Sequence, residues 1–274
     1  MFTCQTVHFK MTKSSQNVIE PIKPELAVVV PVHNEAENLR PLIDEIRTAL
    51  SNISGESEII YVDDGSSDDS VEQLLAIKAE CSQLRILAHR ECCGQSASIM
   101  TGIKAAKASV IATLDGDGQN DPADIPALYS ALKEAPDQDY LLVAGLRAKR
   151  QDTWIKRASS KVANKVRSGL LCDNTPDTGC GLKVFTRAAF LDMPRFDHMH
   201  RFLPALMIRR GGAVISLKVN HRPRERGASK YGTLDRLAVG IIDLLGMLWL
   251  QRRVSMAEVE ELTSKGKAPK AASQ

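Results

Sequence analysis

The chain has 274 residues, 43% of them hydrophobic and 25% charged, with a formal net charge of +3. That length builds one large α/β domain with a full core, or two small ones, and the ordinary composition excludes a fibrous or wholly disordered chain. The small net charge gives no ground for nucleic-acid binding, and six cysteines without CxxC or Cys/His spacing point to a reducing compartment rather than a disulfide framework.

Residues 1–24 are polar, lack the apolar stretch of a signal peptide, and are expected to form a flexible arm. Glu25–Pro31 reads as a buried strand, which Pro31 is expected to end because it cannot donate to a ladder. His33, Asn34 and Glu35 follow, with Asn34 placed to cap a helix running to Leu50. The apolar positions Leu39, Leu42, Ile43, Ile46 and Leu50 recur on one helical face.

Glu58–Val62 is a second buried strand, ending in the acidic turn Asp63-Asp64-Gly65-Ser66-Ser67-Asp68-Asp69. A carboxylate there can accept hydrogen bonds from a base or ribose, while Ser67 or Asp68 can cap the following helix. Leu84–Ala88 is a third strand. Gly94-Gln95-Ser96 then opens a small-residue helix, over Ala97–Ala106, whose amino end can face phosphate.

Val110–Leu114 runs straight into Asp115-Gly116-Asp117-Gly118-Gln119. A short continuous apolar run is the mark of a parallel strand covered on both faces, and ligands gather at the carboxyl ends of such strands. Asp115, Asp117 and Gln119 all offer oxygen, the donor preferred by Mg²⁺ or Mn²⁺, while the two glycines let the backbone turn tightly. A polar β-turn is the competing reading. An EF-hand is excluded because the sixth loop position is Asn120 and the twelfth Pro126.

A helix over Pro122–Leu132 and a strand over Tyr140–Leu146 ending in Arg147 complete an alternation that predicts a parallel, doubly wound sheet. No GxGxxG or Walker pattern follows any strand. Lys149–Leu171 is a basic helical stretch. Asp177-Thr178-Gly179-Cys180-Gly181 is a tight turn before a short strand, Leu182–Phe185, and a helix. Arg201–Arg210 is helical, and Ala213–Val219 is the last strand.

Arg222–Gly232 is basic and punctuated by glycine, as a loop closing over a diphosphate would be; a plain surface loop fits the same composition. Leu237–Leu250 is the most apolar segment, broken by Asp243 and flanked by Arg236, Arg252 and Arg253. It is too short and too polar at its middle for a span, and an interfacial helix, a core helix or a partner-binding helix all remain open. The expected division is therefore arm 1–24, domain 25–233, amphipathic helix 234–254 and disordered tail 255–274.

Four motifs, Val30-Pro31-Val32-His33-Asn34-Glu35, Val62-Asp63-Asp64-Gly65-Ser66, Asp115-Gly116-Asp117-Gly118-Gln119 and Arg226-Gly227-Ala228-Ser229-Lys230-Tyr231-Gly232, stand in this order. Together they resemble the family 2 glycosyltransferases of GT-A fold, and more narrowly the polyprenol-phosphate hexose synthases of the dolichol-phosphate mannosyltransferase type, over roughly residues 25–235. The resemblance implies an α/β, Rossmann-like, mainly parallel sheet flanked by helices, with a C-terminal amphipathic helix. It implies that Pro31, His33, Glu35, Asp63, Asp64 and Asp115 line the nucleotide-sugar pocket, that Asp117 and Gln119, with Asp115, hold Mg²⁺ or Mn²⁺, and that Arg224 and Lys230 clamp the diphosphate. Arg147 would meet the acceptor phosphate, helped by Lys156, Arg157 and Ser160, and Asp177 would be an orienting carboxylate on the acceptor side.

The implied reaction is inverting transfer of a hexose, mannose or glucose first, from GDP-mannose or a UDP-hexose (a UDP-hexuronate included) to a polyprenyl phosphate. It would take place at the cytoplasmic face of the cell membrane, with a small membrane-protein partner for a chain that lacks the spans many relatives carry. Two alternatives stand beside it. One is transfer to a saccharide hydroxyl in cell-envelope polysaccharide synthesis, with Asp177 as base; the other is a nucleotide-sugar-binding scaffold docking through Leu237–Trp249.

Overall fold

A computed structural model of the chain describes residues 23–147, 167–171, 173, 175–223 and 233–253, with backbone alone for 233–238. Seven strands form one sheet: β1 (Leu26–Val32), β2 (Ser57–Asp63), β3 (Leu84–Ala88), β4 (Val110–Thr113), β5 (Leu141–Arg147), β6 (Lys183–Thr186) and β7 (Ala213–Val219). Their order across the sheet is β3-β2-β1-β4-β6-β5-β7. All pairings are parallel except those of β6, which runs antiparallel to both β4 and β5. The alternation predicted a parallel sheet and left this strand's direction unread. The reason for the reversal is local: β5 delivers the chain to the carboxyl edge at Arg147, and residues 177–182 lead into β6 beside that same edge.

Helices α1 (Ala36–Leu50), α2 (Ser70–Glu80), α3 (Gln95–Ala105), α4 (Ile125–Glu134), α5 (Arg187–Leu191), α6 (Leu203–Arg209) and α7 (Thr233–Gln251) cover the sheet. Alternate residues of β1 point to opposite faces, as the two-residue period of a strand requires. Leu26, Val28, Val30 and Val32 join the core with α1, α2 and α4, while Ala27 and Val29 join a second core with α3, α5 and α6. The predicted stripe of Leu39, Leu42, Ile43, Ile46 and Leu50 is the buried face of α1.

Pro31 does not itself close β1, which ends one residue later, at Val32, about where the sequence put it. Val29 turns its carbonyl to Leu114 on the β4 side, and Val32 turns its own to Asp64 on the β2 side. Alternation puts Pro31 on the β4 side, where the ladder has already stopped at Val29, so its missing N–H removes no bond. Asn34, at φ 54°, does not cap α1 either. Its side-chain oxygen accepts from Ser67 N at 2.6 Å, and Asp68 reaches back to Ala36 N at 3.3 Å. The first helix is therefore capped from the second loop, and the two loops are laced together.

Glu58 is the one carboxylate set into the opposite edge, 5% exposed. Its Oε1 accepts from Lys107 N at 2.6 Å and Ala108 N at 3.0 Å, and Arg85 pairs with its other oxygen. Three strand ends meet on that one side chain. Truncating it would leave the Lys107 and Ala108 amides, the second of them buried, and a guanidinium without this partner, so Glu58→Ala should cost about 3 kcal/mol. Glu58→Gln keeps the oxygen that the amides use and should cost nearer 1 kcal/mol. Urea unfolding followed by circular dichroism, with an unchanged denaturant slope, measures both.

Candidate active site

The carboxyl ends of β1, β2 and β4 fall on one edge, and this fold brings three separated sequence motifs to it. At the end of β2, Asp63 is 1% exposed; one oxygen accepts from Ser66 N at 3.1 Å, and the other, Oδ1, is buried with no partner among the described residues. A buried acceptor in that state marks a place for a ligand donor. Asp64 differs. Its oxygens accept from His89 Nδ1 at 2.7 Å, Cys93 N at 2.9 Å, Gly94 N at 2.8 Å and the Cys92 thiol at 3.2 Å. Burial alone would raise this carboxyl, but those donors outweigh it and hold the group below its ordinary range. Asp64 thus ties the loop after β3 to the end of β2.

Pro31 is buried at the end of β1 and His33 is half-buried beside it, with Nδ1 2.8 Å from the Asp64 carbonyl. Glu35 takes a bond from Asn38 Nδ2 at 2.7 Å and gives its amide to Ser70 Oγ.

At the end of β4 the turn is as tight as its glycines suggested. Gly118 sits at φ 72°, and a methyl group on Gly116 would stand 2.5 Å from Val32 Cγ1, so β4 can lie against β1 only without one. Asp117 Oδ1 accepts from Gln119 N at 3.1 Å. The Gln119 carbonyl is taken by Arg222 N at 2.9 Å, which leaves the side-chain amide for a ligand. A cleft of about 330 Å³ opens beside Asp117 and Gly118, floored by Asn38, Pro41 and Leu42 of α1. Arg222, at its rim, pairs with Glu45 at 2.8 Å and Asp121 at 2.9 Å.

Asp115 accepts from Gln95 Nε2 at 2.8 Å. Burial first, and then the neighbouring charge of Asp117, push its carboxyl up to about 6, against the opposing pull of Lys183, Gln95 and Arg147. That is the signature of hard-oxygen negative charge lacking a full counter-charge, so Asp115, Asp117 and Gln119 fit a divalent cation of the Mg²⁺ or Mn²⁺ kind.

The chain answers part of that charge from below. Lys183, on β6, is buried, and its amine, pushed down by burial, lies within electrostatic reach of Asp115 and Asp177 while donating to the Cys180 carbonyl. Gly181 makes the approach possible, since a methyl group there would stand 2.2 Å from Asp115 Oδ2. Arg147 and Asp177, expected as separate elements, form one two-pronged pair: Nε to Oδ2 and Nη2 to Oδ1, both 2.7 Å. Asp177 orients the arginine. His200 meets Ser96 Oγ at 2.7 Å and is lowered to about 3 by burial, so it stays neutral.

Lys183 and Gln95 were not singled out from sequence. The available signal was a lysine in an otherwise apolar short strand, two residues after a glycine. Lys156, Arg157, Ser160, Arg224 and Lys230 lie outside the described residues.

Residues 27–193 match the model of glycosyl transferase family 2. The chain is similar to dodecaprenyl-phosphate galacturonate synthase of Rhizobium johnstonii, 34% identical over 252 residues that cover 86% of this chain and 72% of that protein. Its fold is similar to that of glucosyl-3-phosphoglycerate synthase from Mycobacterium tuberculosis bound to uridine diphosphate, with a TM-score of 0.63 at 18% identity over 88% of this chain and 85% of that one. The same enzyme with Mn²⁺, uridine diphosphate and glucosyl-3-phosphoglycerate gives 0.62 at 18% identity, over 85% and 82%.

Cation binding at this edge must displace the proton that Asp115 carries below about 6. The apparent Mn²⁺ affinity should therefore be flat above pH 7 and fall by about tenfold per pH unit below 6. Asp115→Asn should remove that slope and weaken binding at neutral pH. Titration of Mn²⁺ followed by paramagnetic resonance across pH 5 to 8 measures both.

Proposed function

The chain belongs to glycosyl transferase family 2 and is a glycosyltransferase, and from that premise we propose that it moves a sugar from a nucleotide-diphosphate donor to a polyprenyl phosphate, inverting the anomeric carbon. An oxygen of the lipid phosphate attacks C1 of the sugar, and the bond from C1 to the diphosphate breaks with its electron pair leaving on the nucleoside diphosphate. A phosphate monoester with a second pKa near 6 is already ionised at neutral pH, so the acceptor calls for a positioned cation rather than a base.

The observation that carries the reading is the Arg147–Asp177 pair. Asp177 is 4% exposed and spends both oxygens on the arginine, which makes it a poor base for a sugar hydroxyl. Arg147, fixed by that fork, keeps Nη1 outside the pair and stands beside Asp115 at the end of β5. Asp63, with its buried free oxygen, would accept from the nucleotide. Asp117, Gln119 and Asp115 would hold a divalent cation, which when bound supplies charge neutralisation at the departing diphosphate. Arg224 and Lys230 would close on the same diphosphate, and Lys156, Arg157 and Ser160 would extend the acceptor site.

The Rhizobium relative is named for a dodecaprenyl-phosphate galacturonate product. That supports a polyprenyl phosphate acceptor and moves a UDP-linked hexuronate ahead of GDP-mannose or UDP-glucose as the first donor to test. A donor screen with membrane lipid extract, following label into the organic phase with and without EDTA, tests it. Arg147→Ala should lose about 100-fold in transfer and Asp177→Asn less, with the loss in the lipid acceptor's KM. Transfer to a saccharide hydroxyl that Arg147→Ala leaves intact would overturn the assignment.

We place the site at a membrane surface through α7. No helix among the described residues is long and apolar enough to cross a membrane. The inner side of α7 packs Leu244, Met247 and Leu248 into the second core, Asp243 Oδ2 lies 3.0 Å from His198 Nδ1, and Arg209 caps the Leu250 and Arg253 carbonyls. Its outer side shows Ile242 at 69%, Leu245 at 61% and Trp249 at 62% exposure, beside Arg252 and Arg253. Apolar residues outward next to arginines suit a headgroup boundary. Ile242→Glu with Trp249→Glu should lower co-sedimentation with anionic liposomes about tenfold or more; unchanged sedimentation would exclude lipid as the occupant.

A further inference from the structure

A second group of ligand atoms lies at the ends of β2 and β3. Asp64, His89 and Cys93 each offer one atom, and these lie within 4.8 Å of one another. Cys92 adds its sulfur, 3.2 Å from Asp64 Oδ2. We propose that Asp64, His89 and Cys93, with Cys92 at their side, bind one thiophilic divalent cation of the Zn²⁺ kind, separately from the hard-cation site at Asp115 and Asp117.

The donor set makes the distinction. Thiolate and imidazole select zinc-like ions and suit Mg²⁺ poorly, whereas the Asp115–Gln119 turn offers oxygen alone. Bonds of about 2.0–2.3 Å to a tetrahedral ion put ligand atoms about 3.3–3.8 Å apart. The cluster needs only a short rearrangement, in which Asp64 Oδ1 and His89 Nδ1 part slightly from 2.7 Å, and the exposed Cys93 thiol is held by a single 3.4 Å contact to the Glu91 carbonyl. His89 is already oriented: Nδ1 points at Asp64 Oδ1, and Nε2 meets Thr101 Oγ1 at 2.9 Å, the outer partner a ligating imidazole requires.

The protons balance. In the bound state the ring proton sits on Nε2, where Thr101 Oγ1 accepts it, and Nδ1 is free for the cation. Cys93 releases its thiol proton to solvent, and the Asp64 oxygen that had accepted from Nδ1 turns to the ion. The bound ion would join the end of β2, the residue after β3 and the loop that opens α3. The next helix residue, Gln95, is the one that touches Asp115.

The test uses the reduced, full-length protein stripped with chelator, with Co²⁺ as the probe. One equivalent should bind with a thiolate-to-cobalt charge-transfer band and tetrahedral visible absorption, and Zn²⁺ should displace it while excess Mg²⁺ does not. Cys92→Ser with Cys93→Ser should abolish the band with the melting curve intact, because both side chains are exposed. Asp117→Asn should leave the band unchanged. The proposal is overturned if the wild-type protein shows no thiolate band, if the band survives loss of both cysteines, or if it disappears in Asp117→Asn.

Discussion

Like charge crowded at one edge of a sheet is the condition that the rest of this structure answers to. Asp63, Asp64, Asp115, Asp117 and Asp177 converge where the strands end, and carboxylates this close raise one another's protonation unless something compensates. Three of them are compensated, each differently. Asp64 is quenched by four donors from the loop after β3. Asp177 is quenched by the fork of Arg147, and Asp115 in part by a lysine beneath the sheet edge. The oxygens left without a counterpart, on Asp63 and around Asp115 and Asp117, are the ones a nucleotide and a cation would use.

The antiparallel strand is how that neutralisation is delivered. A seventh parallel strand in the place of β6 would have needed another crossover and would have carried residues 177–183 away from the ligand edge. Running the other way, β6 brings Gly181 and Lys183 up under Asp115 and sets Asp177 opposite Arg147. The buried lysine is costly in isolation, and it is tolerated because it sits among carboxylates and a carbonyl acceptor.

How much of this the sequence revealed follows the range of the interaction concerned. All seven strands and the buried stripe of α1 were readable within a residue or so, because a short apolar run or a helical period is a local signal. The acidic turns were readable because strand ends in an α/β sheet face the ligand. What was misread depended on partners far along the chain. Pro31 is harmless because of where β4 stops pairing, and Asn34 is taken by Ser67 and not by its own helix. The direction of β6 and the role of Lys183 needed the sheet order, and no window of sequence contains that. Asp243 is the instructive case: in the sequence it interrupts an apolar helix, and in the fold it lies on the inner side of that helix, 3.0 Å from His198.

The arginine cap at the end of α7, with the residues that the helix commits to the core, takes away its freedom to roll about its own axis. The outward row of Ile242, Leu245 and Trp249 is held at one bearing relative to the sheet, because the opposite side is committed to the core. Any flat apolar surface that meets this row would therefore meet the whole domain at a single tilt. The distance between that plane and Arg147 becomes a fixed dimension of the molecule, and how far a substrate headgroup must rise to reach the arginine is built into the side-chain packing beneath the helix.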